Sequence, residues 1–150
     1  MYDRILVPTD GSEGTKTAVE QAITHATTYD AELHVLHVVG QSAVDLTAAP
    51  AADGMTTEVI QEQLGEQGQT LVEEVATQAA DAGVPTTTEL VEFGQPHEEI
   101  QSYATEHEID LIVIGTHGRS GLNRQLLGSV AEKVIRTVET PVLAVQLDEE

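Results

Sequence analysis

The segment "GTHGRSGLNRQLLGSV", residues 115–130, spaces Gly115, Gly118 and Gly128 as Gly-x2-Gly-x9-Gly, with Ser129 directly after. Glycine has no Cβ, so a backbone amide there can be brought close against a ligand. Ser129 opens "SVAEKVIRTV", whose apolar spacing reads as a helix. The first N–H groups of a helix lack partners within it, and with the helix dipole they favour an anion. These residues suit a phosphate. They equally suit a tight turn with Ser129 as an ordinary N-cap, and spacing alone leaves both readings open. The common phosphate motifs do not decide the matter. No lysine lies within 115–130, which excludes G-x-x-x-x-G-K-[ST], and the glycines do not follow G-x-G-x-x-G. A nucleophile elbow, G-x-S-x-G, is begun by Gly118 and Ser120 but fails at Leu122. Arg119, one of four arginines, lies inside the segment. It reads either as a phosphate contact or as a solvated charge.

A second candidate is "PTDGSEG", following the apolar run Ile5-Leu6-Val7. Asp10 there can contact a ribose or orient a metal, or it can cap the next helix from a turn. The six histidines raise the question of a metal site. His34 and His37 are three apart on an expected strand and so point to opposite faces. His97 and His107 open and close one helix, and His25 stands alone on another. Histidine metal ligation is therefore not expected.

Six Lys+Arg face 26 Asp+Glu, for a formal net charge of −20, and lysine occurs only at Lys16 and Lys133. No basic stripe exists to displace phosphate counterions, which argues against nucleic acid as a partner. The carboxylates are spread along a chain with regular apolar periodicity, so the acidity marks a folded protein in strong salt rather than a disordered tail. The expectation is the cytoplasm of a halophilic microbe; the alternative reading is a merely acidic protein of a mesophile. Cysteine is absent, which fits an intracellular protein and excludes disulfides. No secretory signal or membrane-length apolar run is read from the sequence.

Several elements must position these residues. Ile5–Val7, "AELHVLHVV", "VPTTTELVEF", "DLIVIG" and "TPVLAVQL" read as strands. Between them, "GTKTAVEQAITHATTYD" carries Ala18, Val19, Ala22, Ile23 and Ala26 on one helical face. "EVIQEQLGEQGQTLVEEVATQAADAG" spaces Ile60, Leu64, Leu71, Val75 and Ala79 as a helix weakened by Gly65 and Gly68. "PHEEIQSYATEHE" and "SVAEKVIRTV" are the remaining helices. Residues 40–55, rich in Ala, Gly, Ser and Thr, read as a long loop. The order βαβαβαβαβ implies one α/β domain over 1–150, a parallel sheet between two helix layers. Ligands in such sheets lie beyond the carboxyl ends of the strands, where strand order reverses.

The full signature "GTHGRSGLNRQLLGSVAEKVI", with "YDRILVPTDGSE", "ELHVLHVV" and "TPVLAV", resembles the universal stress protein family over essentially the whole chain. The resemblance implies a five-stranded parallel sheet and a dimer formed through the last strand. Members carrying the glycine signature typically bind ATP, and members lacking it often do not. Carried over by position, Pro8, Thr9 and Asp10 would lie against the nucleoside, and the Val38 backbone would meet the adenine edge. Gly115, His117, Gly118 and Arg119 would line ribose and phosphates, while Gly128, Ser129 and Val130 would grip phosphates. In so acidic a molecule, Mg2+ on the phosphates and Arg119 or Arg124 would offset charge. The resemblance implies a nucleotide-dependent stress-response or signalling dimer. An enzyme that uses or slowly hydrolyses ATP is the alternative, although no base, nucleophile or lysine is placed for it. A flavin electron carrier would need aromatics in the ligand loops, and Tyr2, Tyr29, Phe93 and Tyr103 all lie elsewhere.

Overall fold

A computed structural model describes residues 2–9, 13–40, 57–84, 86–116 and 129–146. Strands and helices alternate along them: β1 (Arg4–Pro8), α1 (Glu13–Tyr29), β2 (Glu32–Gly40), α2 (Thr57–Asp81), β3 (Thr86–Gly94), α3 (Pro96–Glu106), β4 (Leu111–Gly115), α4 (Ser129–Thr137) and β5 (Val142–Val145). All strand pairs are parallel. The sheet order is β3-β2-β1-β4-β5. The chain thus moves outward from β1 to β3, then crosses back to β4, so strand order reverses between β1 and β4.

Alternation of side chains splits the core in two. Ile5, Val7, Leu33, Val35, Leu111 and Val113 face α1 and α2, where they pack on Ala18, Val19, Ala22, Val72 and Ala79. Leu6, Leu36, Ile112 and Ile114 face Ile100, Tyr103, Ala104, Ala131 and Val134 of α3 and α4. Every residue from Leu111 to Ile114 is buried, as a strand covered on both faces requires. The five apolar positions read for α1 are all buried.

In α2 the packing differs from the sequence reading. Val72 is fully buried and Leu71 only partly so. The helix runs unbroken through Gly65 and Gly68, and Gly68 itself is buried. Tertiary packing of Val72, Val75 and Ala79 outweighs a propensity cost of about 1 kcal/mol per glycine. Three helices end in one way. Asp30, Gly83 and Glu108 have φ of 55°, 84° and 52°. The next residues, Ala31, Val84 and Ile109, are buried and donate their amides to Ala26, Ala79 and Ala104, each at 2.9 Å. This hydrogen-bonded reversal leads each helix directly into the sheet.

Candidate functional site

The site is built by strands of unequal reach. The β1–β2 register ends at Pro8↔Leu36, and that of β1–β4 at Leu6↔Ile112. Beyond Leu36, β2 continues beside β3 to Gly40↔Gly94. At ~3.3 Å per residue, β2 overruns the β1 ladder by on the order of 10 Å. The short central strand therefore forms the floor of a notch. Val38 and Gly40 stand on one side of it, with Gly115 and Thr116 on the other. This is where strand order reverses, the place at which open parallel sheets bind ligands.

Both exits from the floor are tied down. The Thr9 amide donates to the Leu36 carbonyl at 2.9 Å, and the Thr9 carbonyl accepts from His37 Nδ1 at 2.7 Å. Thr116, 1% exposed, donates its amide and its hydroxyl to the Val145 carbonyl at 3.0 and 3.3 Å. Helix α4 begins at Ser129, which returns the chain from residues 117–128.

The structure brings Pro8, Thr9, Val38 and Gly115 of the expected site to this one end of the sheet. Val38 and Val130 turn their side chains into the core between the sheet and α3–α4. A ligand contact from either would be a backbone contact. Asp10, His117, Gly118, Arg119, Gly128 and the Ser129 side chain lie outside the described residues, as does the expected loop after Gly40. Of the other cations, Arg4 is ion-paired at the opposite end of β1 to Glu32 and Glu108, each at 3.8 Å. Arg136 bonds Glu132 at 2.7 Å in the last turn of α4.

Sequence reasoning missed His37 and Thr116. Neither left a signal in the sequence, because the overrun of β2 past β1 and the approach of β5 to Thr116 are relations between distant segments. It also missed Asp110, whose carboxylate accepts the Asp3 and Arg4 amides at 2.9 and 3.0 Å and starts β1.

His34 and His37 do stand on opposite faces of β2, and among the described residues no group of three His, Asp or Glu could hold a metal. His34 is 3% exposed and bonds the Tyr103 hydroxyl through Nδ1 at 2.6 Å. The Tyr103 ring stacks on His107 with centroids 3.9 Å apart. His34 Nε2 is buried without a hydrogen bond, 3.7 Å from Glu32. Burial pushes the imidazole below its usual range; Glu32 pulls it partly back, while His107 and Arg4 add to the depression. The unfolded chain, with His near pH 6.5, therefore takes up a proton before the folded one. Stability from this group is complete above about pH 6.5 and is lost as pH falls toward the lowered folded value. Neutralising the many carboxylates has the opposite effect, so the contribution is read as a difference. Between about pH 6.5 and 5, the melting temperature of the parent is expected to fall relative to that of His34→Gln.

A model of the universal stress protein family matches residues 1–146. The chain belongs to the universal stress protein family. The universal stress protein MJ0531 of Methanocaldococcus jannaschii is 42% identical over 146 residues, covering 97% of this chain and 83% of that one. The structure of MJ0577, a universal stress protein of the same organism, superposes with a TM-score of 0.86 at 30% identity, over 100% and 99% of the two chains. A universal stress protein solved in complex with cAMP superposes with a TM-score of 0.69 at 26% identity, over 98% of each chain. No helix among the described residues is long and apolar enough to cross a membrane.

Proposed function

We propose that this universal stress protein binds ATP in the notch above β1 and that the bound nucleotide sets the state of a homodimer in stress signalling. One observation carries the reading: the floor at Pro8–Thr9 lies at the strand-order reversal, and the Gly115-x2-Gly118-x9-Gly128-Ser129 signature connects its rim to the start of α4. The base would lie against Pro8, Thr9 and Asp10 and reach the Val38 backbone. Gly115, His117, Gly118 and Arg119 would line ribose and phosphates. Amides at Gly128, Ser129 and Val130 would hold the phosphates at the helix start. Mg2+ would be carried on the phosphates, which supply hard oxygen ligands. The likeness to a family member that holds cAMP supports an adenine nucleotide. The setting would be cytoplasmic, with which a cysteine-free chain is compatible. The test is to purify the protein without added ligand, denature it and identify what is released. ATP is expected. AMP or a flavin would replace the reading, and hydrolysis of added ATP would move it toward an enzyme.

Strand β5 is at the sheet edge, and we assign the dimer contact to it. Ile112 donates to the Pro141 carbonyl and Thr116 to that of Val145. Backbone groups alternate sides along a strand. Odd residues from 141 to 145 thus face β4, and the N–H of exposed Ala144 faces the open edge. Pairing with a second β5 about a two-fold axis would satisfy that edge and close the assembly. Ala144→Pro removes an edge donor but no bond to β4. It is expected to yield a folded monomer by light scattering where the parent is a dimer. A monomeric parent at micromolar concentration would remove the dimer from the proposal.

A further inference from the structure

We infer that His37 is a positioning residue of the nucleotide notch: through the Thr9 carbonyl it fixes the direction in which the chain leaves β1. The inference rests on the nucleotide reading of that notch. His37 lies on the α1–α2 face of β2, while Val38, its neighbour, packs its side chain on the other face. The ladder between β1 and β2 has ended one residue earlier, at Pro8↔Leu36. Thr9 remains attached through two bonds to successive β2 residues, its amide to Leu36 and its carbonyl to the His37 ring. In a regular parallel ladder that carbonyl would next take a main-chain amide of β2. Here a side-chain N–H reaches it. The bond is dry, with Thr9 7% and His37 9% exposed.

A carbonyl only accepts, so Nδ1 must carry the proton. The Thr9 carbonyl belongs to a planar peptide unit that also contains the next amide. Holding the oxygen therefore orients the whole unit on which the "TDGS" segment begins. Without the ring N–H, a buried acceptor at the floor of the notch would lose this hydrogen bond, and the peptide unit would be held less firmly in its present direction. His37 thus contributes to binding without touching the ligand.

The test compares His37→Leu, which keeps bulk but has no donor, with His37→Asn, whose side-chain N–H can take the place of Nδ1–H. ATP·Mg is titrated into each full chain by calorimetry in molar KCl. Amide hydrogen exchange is followed at Thr9, Leu6 and Val7 in the free proteins. In His37→Leu the affinity should fall at least about tenfold and Thr9 exchange should accelerate by a similar factor, as loss of a buried hydrogen bond implies. Leu6 and Val7 should stay protected, and His37→Asn should restore both readouts. If His37→Leu binds and exchanges as the parent does, the inference is overturned. It is also overturned if Leu6 and Val7 lose protection together with Thr9 and Asn rescues nothing, since His37 then only supports the fold. A parent chain that binds no adenine nucleotide defeats the functional reading itself, and this role goes with it.

Discussion

Gly128→Val should leave no measurable ATP·Mg isotherm in high KCl, a loss of at least about 100-fold, or ~2.7 kcal/mol. The expectation follows from what is absent as much as from what is present. No lysine occurs from 115 to 130, and the cationic side chains within that segment are Arg119 and Arg124. Arg4 and Arg136 are paired with carboxylates, one at the far end of β1 and the other in the last turn of α4. On the proposed reading, most of the phosphate contact comes from backbone amides where α4 begins, at Ser129. The residue immediately before that start is glycine. A branched side chain there would occupy the volume the phosphate needs, and would hinder its approach to the free N–H groups. Arg124→Ala removes only a charge screened at high ionic strength and should cost less than about tenfold. Circular dichroism and melting of both variants separate lost binding from lost fold. If Gly128→Val binds as the parent does, the glycine segment is only a turn.

Much of the scaffold could be read in advance because it follows from periodicity. The run Leu111–Ile114 has no polar residue, and a strand with helices on both faces accepts none. Ala18, Val19, Ala22, Ile23 and Ala26 recur at helical spacing, and a single sheet face buries them all. What escaped depends on relations between distant segments. Leu71 and Val72 fit a helical stripe equally well, and the sheet beneath chose Val72. Asp30 and Glu108 take left-handed backbone conformations that their residue types do not advertise, because the helix must reverse into a buried Ala31 or Ile109. The notch exists because β1 stops pairing while β2 runs on to Gly40. No local pattern in "RILVPTD" encodes the length of its neighbour. For the same reason nothing in "AELHVLHVV" encodes the contact of His37 with the Thr9 carbonyl. Of the residues proposed for the phosphate site, the glycine spacing, Ser129 and Arg119 were legible, since residue type and spacing are local properties.

Desalting should lower the melting temperature by about 10 °C or more between molar and ~10 mM KCl, equivalent to about 3–4 kcal/mol for a chain of this size. We propose on this basis that the protein works at high ionic strength. A net charge of −20 supplies the repulsion, and a Debye length that grows from roughly 3 to 30 Å exposes it. Helix α2 should fail first. It runs over 25 residues without one Lys or Arg and carries Glu58, Glu62 and Glu66 at successive i,i+4 positions. Like charges at that spacing repel, and Asp81 opposes the dipole in the last turn. Glu62→Lys turns two repulsive pairs into two attractive ones. It should recover about 1 kcal/mol at low salt and almost nothing in molar KCl. Thermal melts of both proteins across the salt range provide the measurement, with amide exchange in α2 locating the weakness. A midpoint that does not move with salt would show that the carboxylates are spaced widely enough to be tolerated without screening. A gain for Glu62→Lys that is equal at both salt concentrations would mean that helix propensity or packing, not charge, limits α2.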